Sequence, residues 1–329
     1  MKILVYDVPA VSGGALTILE SYYQKFLRDQ ENEYVFVISL PELNSQKNIR
    51  VLKFPWVKKS RLHRLYFDYF ECKKINKKEK PDRIISLQNL MIPRTSIPQT
   101  IYVHQVIPFS DYKFNIMKDY NLWFYKHIYK LLLFKSIRKA DKVIVQSIWL
   151  KDLMIEKKLL LKKEKIIVEK PILDYIENIE TKTNDNFETT FIYPAGPEIY
   201  KNHQLIIEAM LKLKTINHQK YRVLFTINGN ENKAIQKTKN IISEKSLPVN
   251  FIGNIKKDKL FELYKKSILI FPSKIESLGL PIYESMRLNR PIIAAKINYA
   301  QEALKHYDNC YFFDFDDSEH LSRLMLRFI

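Results

Sequence analysis

The stretch Phe271-Pro272-Ser273-Lys274-Ile275-Glu276-Ser277-Leu278-Gly279-Leu280-Pro281-Ile282-Tyr283-Glu284-Ser285 runs from an apolar strand pattern through a loop into a helix. Pro281 suits the first helical position because the N–H it lacks would find no intrahelical acceptor there. Gly279, just before, lets backbone come close to a ligand. The N–H groups of Gly279, Leu280 and their neighbours then face an open space at the positive end of the helix, where a diphosphate is stabilised. Glu276 precedes the helix and Glu284 falls in its first turn, so two carboxylates flank the anion site. Acids beside a phosphate site read as acceptors for sugar hydroxyls. Taken singly, Glu284 reads equally well as a helix-start glutamate and Glu276 as a solvated loop charge.

Outward from this stretch the same alternation recurs along the chain. Strand patterns fall at 3–6, 34–39, 51–54, 83–87, 100–104, 142–146 and 165–169, and again at 190–193, 221–228, 249–252, 268–272, 291–294 and 310–315. Helical spacing fills gaps between them, as in 121–139, 203–214, 257–266 and 318–327. Residues 171–188 break the pattern with Pro171 and a polar, acidic run, and read as a linker between domains 1–170 and 189–329. Alternating elements of this kind predict an α/β fold, with a doubly wound parallel sheet in each half and the two halves facing across a cleft. Glycine is scarce, six in 329 residues against about 7% in an average chain. Gly13 and Gly14, Gly196, Gly229 and Gly253 each follow a strand pattern, the place where such sheets bind ligands.

A composition of 46% hydrophobic and 27% charged residues excludes a disordered or fibrous chain. Cys72 and Cys310 stand far apart, which argues against a zinc site or a disulfide scaffold and favours the cytoplasm. No 18-residue apolar window is present, and the start reads as a strand rather than a signal peptide. The formal charge of +18 is unevenly placed. Residues 1–170 hold 32 Lys+Arg and 17 Asp+Glu, net +15, whereas residues 171–329 hold 22 and 19, net +3. Within the first half, 53–83 interleaves 11 basic and 4 acidic residues with Phe54, Trp56, Tyr66, Phe67, Tyr69 and Phe70, and 121–139 adds a second basic aromatic run. Cationic side chains beside apolar ones suit an anionic lipid surface, with Lys58, Lys59, Arg61 and Arg64 as contacts; a solvated face over an ordinary core helix is the alternative. Nucleic acid is the other polyanion such charge suits, but no helix-turn-helix, RNP or zinc-finger pattern accompanies it.

The spacing of Glu276 and Glu284 around Gly279 and Leu280 resembles the E-x7-E motif of retaining glycosyltransferases of the GT-B architecture, specifically family 4. Phe191-Ile192-Tyr193-Pro194-Ala195-Gly196-Pro197-Glu198-Ile199-Tyr200-Lys201-Asn202-His203 is similar to the family's strand-loop-helix whose lysine holds the donor diphosphate, and Lys201 is its match. Many members carry an arginine just after the glycine, where this chain has Pro197 and Glu198. Val11-Ser12-Gly13-Gly14-Ala15 resembles the family's glycine pair, and His104, closing Ile101-Tyr102-Val103-His104, the histidine at the edge of the acceptor pocket. Ser86-Leu87-Gln88-Asn89 and Val145-Gln146-Ser147 resemble further family segments to which no chemistry is assigned.

The resemblance implies two Rossmann-like domains and transfer of a hexosyl or deoxyhexosyl unit from a nucleotide sugar with retention. Gly13, Gly14, Lys201, Asn202, Glu276, Gly279, Leu280 and Glu284 would bind the donor, and His104, Lys201 and Glu276 would act at the reacting centre. It implies no cofactor and no metal, since lysine and helix dipole hold the leaving diphosphate. Asp314-Phe315-Asp316-Asp317 accordingly reads as helix capping rather than a D-x-D metal motif, and Glu302 as either the family's acidic residue or a cap. Relatives commonly continue into a helix that returns to the N-terminal domain; this sequence ends at Ile329. The Lys, Ile and Asn bias suggests an AT-rich bacterial genome, where such enzymes build capsule or O-antigen on a polyprenyl lipid carrier. An inactive scaffold subunit of the same architecture is the alternative, ahead of a nucleic-acid-binding protein or a sugar epimerase.

Overall fold

The computed structural model describes residues 1–159, 163–170, 189–214 and 220–329. The chain divides into two compact units, Met1–Leu173 and Asp174–Ile329. The expected linker, 171–188, lies outside the described residues.

In the first unit the strands are β1 (Lys2–Asp7), β2 (Glu33–Ile38), β3 (Ile49–Lys53), β4 (Arg83–Ser86), β5 (Gln99–Val103), β6 (Lys142–Val145) and β7 (Ile166–Val168). They form one sheet in the order β3-β2-β1-β4-β5-β6-β7, and every pair is parallel. A parallel sheet is covered on both faces, which is why its strands read as unbroken apolar runs. Val5, Phe36 and Tyr102 pack on one face against Ile18, Tyr22 and Phe26 of the helix Gly13–Leu27. Leu4, Tyr6 and Val37 pack on the other against Val57, Phe67 and Cys72. Each fully buried side chain of this size contributes roughly 1.5–3 kcal/mol.

The helix expected over 121–139 is present from Tyr120 to Lys139, but a π-helical turn, Tyr125–Tyr129, interrupts it. A similar turn, Phe67–Glu71, joins the helices Arg61–Tyr66 and Cys72–Glu79. A wide turn takes one extra residue and so rotates the apolar stripe, which a search for fixed helical spacing does not register.

The second unit contains β8 (Thr189–Tyr193), β9 (Tyr221–Phe225), β10 (Val249–Phe251), β11 (Ile268–Phe271), β12 (Ile292–Ala295) and β13 (Cys310–Phe313). Their order is β10-β9-β8-β11-β12-β13, again parallel throughout. Both sheets are therefore doubly wound. The order reverses between β1 and β4 in the first and between β8 and β11 in the second, and the loops leaving such a switch point open the crevice in which this fold class binds ligands. Asp317 accepts hydrogen bonds from the N–H groups of Glu319 and His320 and caps the helix Ser318–Leu326, the role its sequence setting predicts. Glu302 lies near the end of the helix Asn298–Ala303, which has Ile297 at its N-cap, so the capping alternative for Glu302 does not hold.

Candidate functional site

The loops leaving β8 and β11 bring Lys201 and Glu276 together although 75 residues separate them. Lys201 ends a 3₁₀ turn, Ile199–Lys201, and Asn202 follows with a left-handed φ of 61° before the helix His203–Lys214 begins. Its Nζ donates to Glu276 Oε1 at 2.5 Å, both side chains being mostly buried. Glu276 is therefore no solvated loop charge. Its negative charge is felt by Tyr193, Tyr200 and Tyr299, whose phenols burial already pushes well up. Two of those tyrosines brace the site: Tyr193 Oη donates to the Lys201 carbonyl at 2.6 Å, and Tyr299 Oη to the Ser273 carbonyl. One hydroxyl thus fixes the loop that carries the cation and the other the loop that carries the carboxylate.

Gly279 is the N-cap of the helix Leu280–Arg287, with a φ of 73° in the left-handed region that favours glycine. A Cβ there would also meet Ile282 and Tyr299 at 3.3–3.4 Å. Leu280 opens the helix, so Pro281 stands at its second position rather than its first, and Glu284 begins the second turn. The Ile282 N–H bonds back to the Gly279 carbonyl at 2.9 Å and Pro281 has none. The amides that the helix start offers to an anion are therefore those of Gly279 and Leu280. Glu284 is buried and accepts from Tyr264 Oη at 3.0 Å. A buried carboxylate held by a neutral hydroxyl is not the exposed helix-start glutamate of the alternative reading. Behind Lys201, His203 packs at a tilt against Tyr193 and edge-to-face against Phe225, and burial together with the Lys201 charge depresses its pKa to about 3, so it stays neutral.

Gly13, Gly14 and His104 belong to the first unit. Gly13 opens the helix Gly13–Leu27 with φ 60°, and no atom lies within 4 Å of where its Cβ would stand. His104 follows the last residue of β5. Its Nε2 lies 3.3 Å from Asn89 Nδ2, and Asn89 Oδ1 accepts from the N–H groups of His104 and Gln105. Burial lowers the imidazole to about 4. If Nε2 accepts from Asn89, the single proton of the neutral ring sits on Nδ1, which makes His104 a hydrogen-bond donor rather than a base. Nδ1 has no hydrogen-bond partner among the described atoms.

Sequence reading missed Tyr193, Tyr264 and Tyr299 because tyrosine in a strand or helix reads as core. It also missed Lys274 and Asp316, which pair at 2.7 Å.

A lysine, two helix-start amides and two held carboxylates at one switch point form a place for an anion joined to a polyhydroxylated group. Residues 175–329 match the family model described as glycosyl transferases group 1. The second unit belongs to that family. The O-antigen chain mannosyltransferase RfbU of Salmonella typhimurium is 27% identical over 208 residues, covering 63% of this chain and 54% of that protein. The chain therefore spans only about half the length of this family relative. Among solved structures, WaaG, a glycosyltransferase involved in lipopolysaccharide biosynthesis, superposes with a TM-score of 0.72 at 13% identity, covering 99% of this chain and 90% of the other. HepE of Anabaena, in complex with UDP and glucose, gives 0.65 at 16%, covering 99% and 89%. Likeness at such identities shows the fold, which is GT-B.

Proposed function

We propose that the protein is a retaining glycosyltransferase that moves a hexosyl or deoxyhexosyl unit from a nucleotide sugar to a glycan acceptor. The observation that carries this reading is the meeting of Lys201 and Glu276 at the β8/β11 switch point, beside the start of the helix Leu280–Arg287. In the reaction the bond from the anomeric carbon to the diphosphate oxygen breaks, a bond from the acceptor oxygen forms on the same face, and the acceptor proton passes to the leaving phosphate. Lys201 and the Gly279 and Leu280 amides stabilise the charge that develops on the leaving group. Glu276 accepts from donor-sugar hydroxyls and Glu284 from the nucleotide ribose. Asn202 lines the diphosphate loop, Gly13 and Gly14 give the reacting groups room, and neutral His104 donates to sugar or acceptor. The UDP and glucose held by HepE and the mannosyl transfer named for RfbU support a nucleotide-sugar donor and a surface polysaccharide product.

The acceptor in this reading is carried on a polyprenyl lipid, and the enzyme rests on the inner face of the cell membrane. In this reading attachment is peripheral; among the described residues no helix is long and apolar enough to cross a membrane. Supporting it, the first unit exposes Leu62, Leu65, Phe70, Met117, Leu131 and Leu132, with Met117 91% accessible, on the half of the chain that holds net +15. Arg61 bridges two of the segments concerned, bonding Asn121 Oδ1 at 2.7 Å and lying over Tyr120 and Phe124. Three of the four cations expected to touch lipid also make bonds within the fold: Arg61 as above, Arg64 to Asp68 at 2.8 Å and Lys58 to the Pro9 carbonyl at 2.7 Å, with Lys58 and Arg61 still exposed. Lys59, Lys73, Lys77 and Lys78 are further exposed cations of this region suited to the role.

Incubation with UDP-, GDP- and TDP-sugars tests the activity: one should release its nucleoside diphosphate in an acceptor-dependent manner, and binding without any turnover would leave the inactive scaffold. Sedimentation tests the surface. The protein should pellet with anionic but not neutral vesicles, be released by salt, and lose binding when Lys59, Lys73, Lys77 and Lys78 become Glu; equal partition onto neutral vesicles would remove the membrane from the proposal.

A further inference from the structure

Asp316 stands outside the residues that the donor reading uses, in the loop between β13 and the helix Ser318–Leu326. Its φ of 64° is left-handed, uncommon for a residue with a Cβ although aspartate tolerates it. Its carboxylate reaches two different loops. Lys274 Nζ lies 2.7 Å from Oδ1, and Asn202 Nδ2 donates to the same oxygen at 3.2 Å. Lys274 belongs to the loop that carries Glu276, and Asn202 is the immediate neighbour of Lys201. The same two loops meet a second time, where the Lys274 N–H donates to the Tyr200 carbonyl at 2.8 Å. Lys274 also lies over the Phe315 ring at 4.9 Å. Helix capping does not explain Asp316, because Asp317 performs it.

We propose that Asp316 is a positioning residue for the donor anion, holding the neighbours of Lys201 and of Glu276 so that the cation and the carboxylate keep their separation. The inference rests on the donor-site reading. One carboxylate joins two segments that also share a backbone bond and the Lys201–Glu276 pair itself. When an anion draws Lys201 away from Glu276, the Asp316 contacts keep the two loops in register. Asn202, left-handed itself, transmits that restraint directly to the Lys201 backbone.

The test is calorimetric titration with UDP and GDP, and with uridine and guanosine, on wild type, Asp316→Gly, Lys274→Ala, the double variant and Lys201→Ala. Glycine suits the left-handed φ, so Asp316→Gly should melt no lower than wild type and separates positioning from folding. The nucleoside diphosphate that binds should lose about fivefold in affinity in Asp316→Gly and in Lys274→Ala. The double variant should lose no more than the weaker single one, because both substitutions break one connection, and nucleoside affinity should not change. Wild-type affinity in Asp316→Gly, losses that multiply, or equal weakening of the nucleoside would overturn the inference. If Lys201→Ala loses affinity while Asp316→Gly does not, only the positioning role falls. If Lys201→Ala binds as wild type, the donor reading falls and takes this inference with it.

Discussion

At the carboxyl edge of the second sheet the charged groups are matched: Lys201 with Glu276, Lys274 with Asp316, and Glu284 with the Tyr264 hydroxyl. At the corresponding edge of the first sheet, Gln88, His104 and Gln146 each bury a polar atom that has no hydrogen-bond partner among the described atoms, and the Asp7 carboxylate is buried beside the Ala10 amide; in the second unit His203 Nε2 and Ser285 Oγ, which are uncharged, likewise have no such partner. In the proposed reaction a diphosphate arriving at the matched edge exchanges places with Glu276 as the partner of Lys201. The unmatched edge carries groups whose burial costs about 1–3 kcal/mol each while they lack partners. The contrast is one of charge: the second unit pairs its buried ions, while the first buries the Asp7 carboxyl without an ion pair among the described residues.

The largest expected effect sharpens the account of the unmatched edge. Burial pushes the Asp7 carboxyl up to about 7, against the opposing pull of the Ala10 amide and the Arg64 and Lys58 charges. Unfolded, the same group titrates near 3.9. The folded state therefore binds this proton more tightly, and the contribution to stability is fully present below about pH 4 and lost as the pH rises to 7. Asp7→Asn should stabilise the protein at pH 8 by about 2–4 kcal/mol and by almost nothing at pH 4. Chemical denaturation at both values checks it; the same difference at the two would mean that Asp7 is ionised at no cost.

Glu284→Gln comes next, on the matched edge. A charged hydrogen bond contributes roughly 1.5–3 kcal/mol, so transfer should fall about tenfold or more with the melting temperature preserved. Wild-type turnover by a folded Glu284→Gln variant would remove the residue from the donor site.

The smallest effect has an unusual sign. Because Glu276 competes with an anion for Lys201, Glu276→Gln should tighten binding of the nucleoside diphosphate by about threefold while slowing sugar transfer, for which the carboxylate holds hydroxyls. Loss of both would mean that Glu276 only supports the loop, and the matched edge would then be structural.

The strands were legible because parallel strands buried on both faces leave apolar runs closed by Gly, Pro or polar residues, and each expected strand lies within a few residues of its observed bounds. Gly279 and Pro281 marked the start of the helix Leu280–Arg287 through their backbone requirements, which sequence states directly. Pairing was not legible. Nothing local connects Lys201 to Glu276 or Asp316 to Asn202, since topology brings them together. The π-helical turns at Phe67–Glu71 and Tyr125–Tyr129 left no trace in the spacing. Nor does composition distinguish Arg64, half-buried and held by Asp68, from Lys59, which is exposed.

The most direct test of the donor site is the affinity of wild type and Lys201→Ala for a nucleoside diphosphate and for the parent nucleoside, measured by calorimetry. Only the diphosphate carries the charge that Lys201 contacts, so its affinity should fall about tenfold or more while that of the nucleoside stays within error. Equal losses for the two ligands, or none for either, would place Lys201 away from the phosphates and contradict the account.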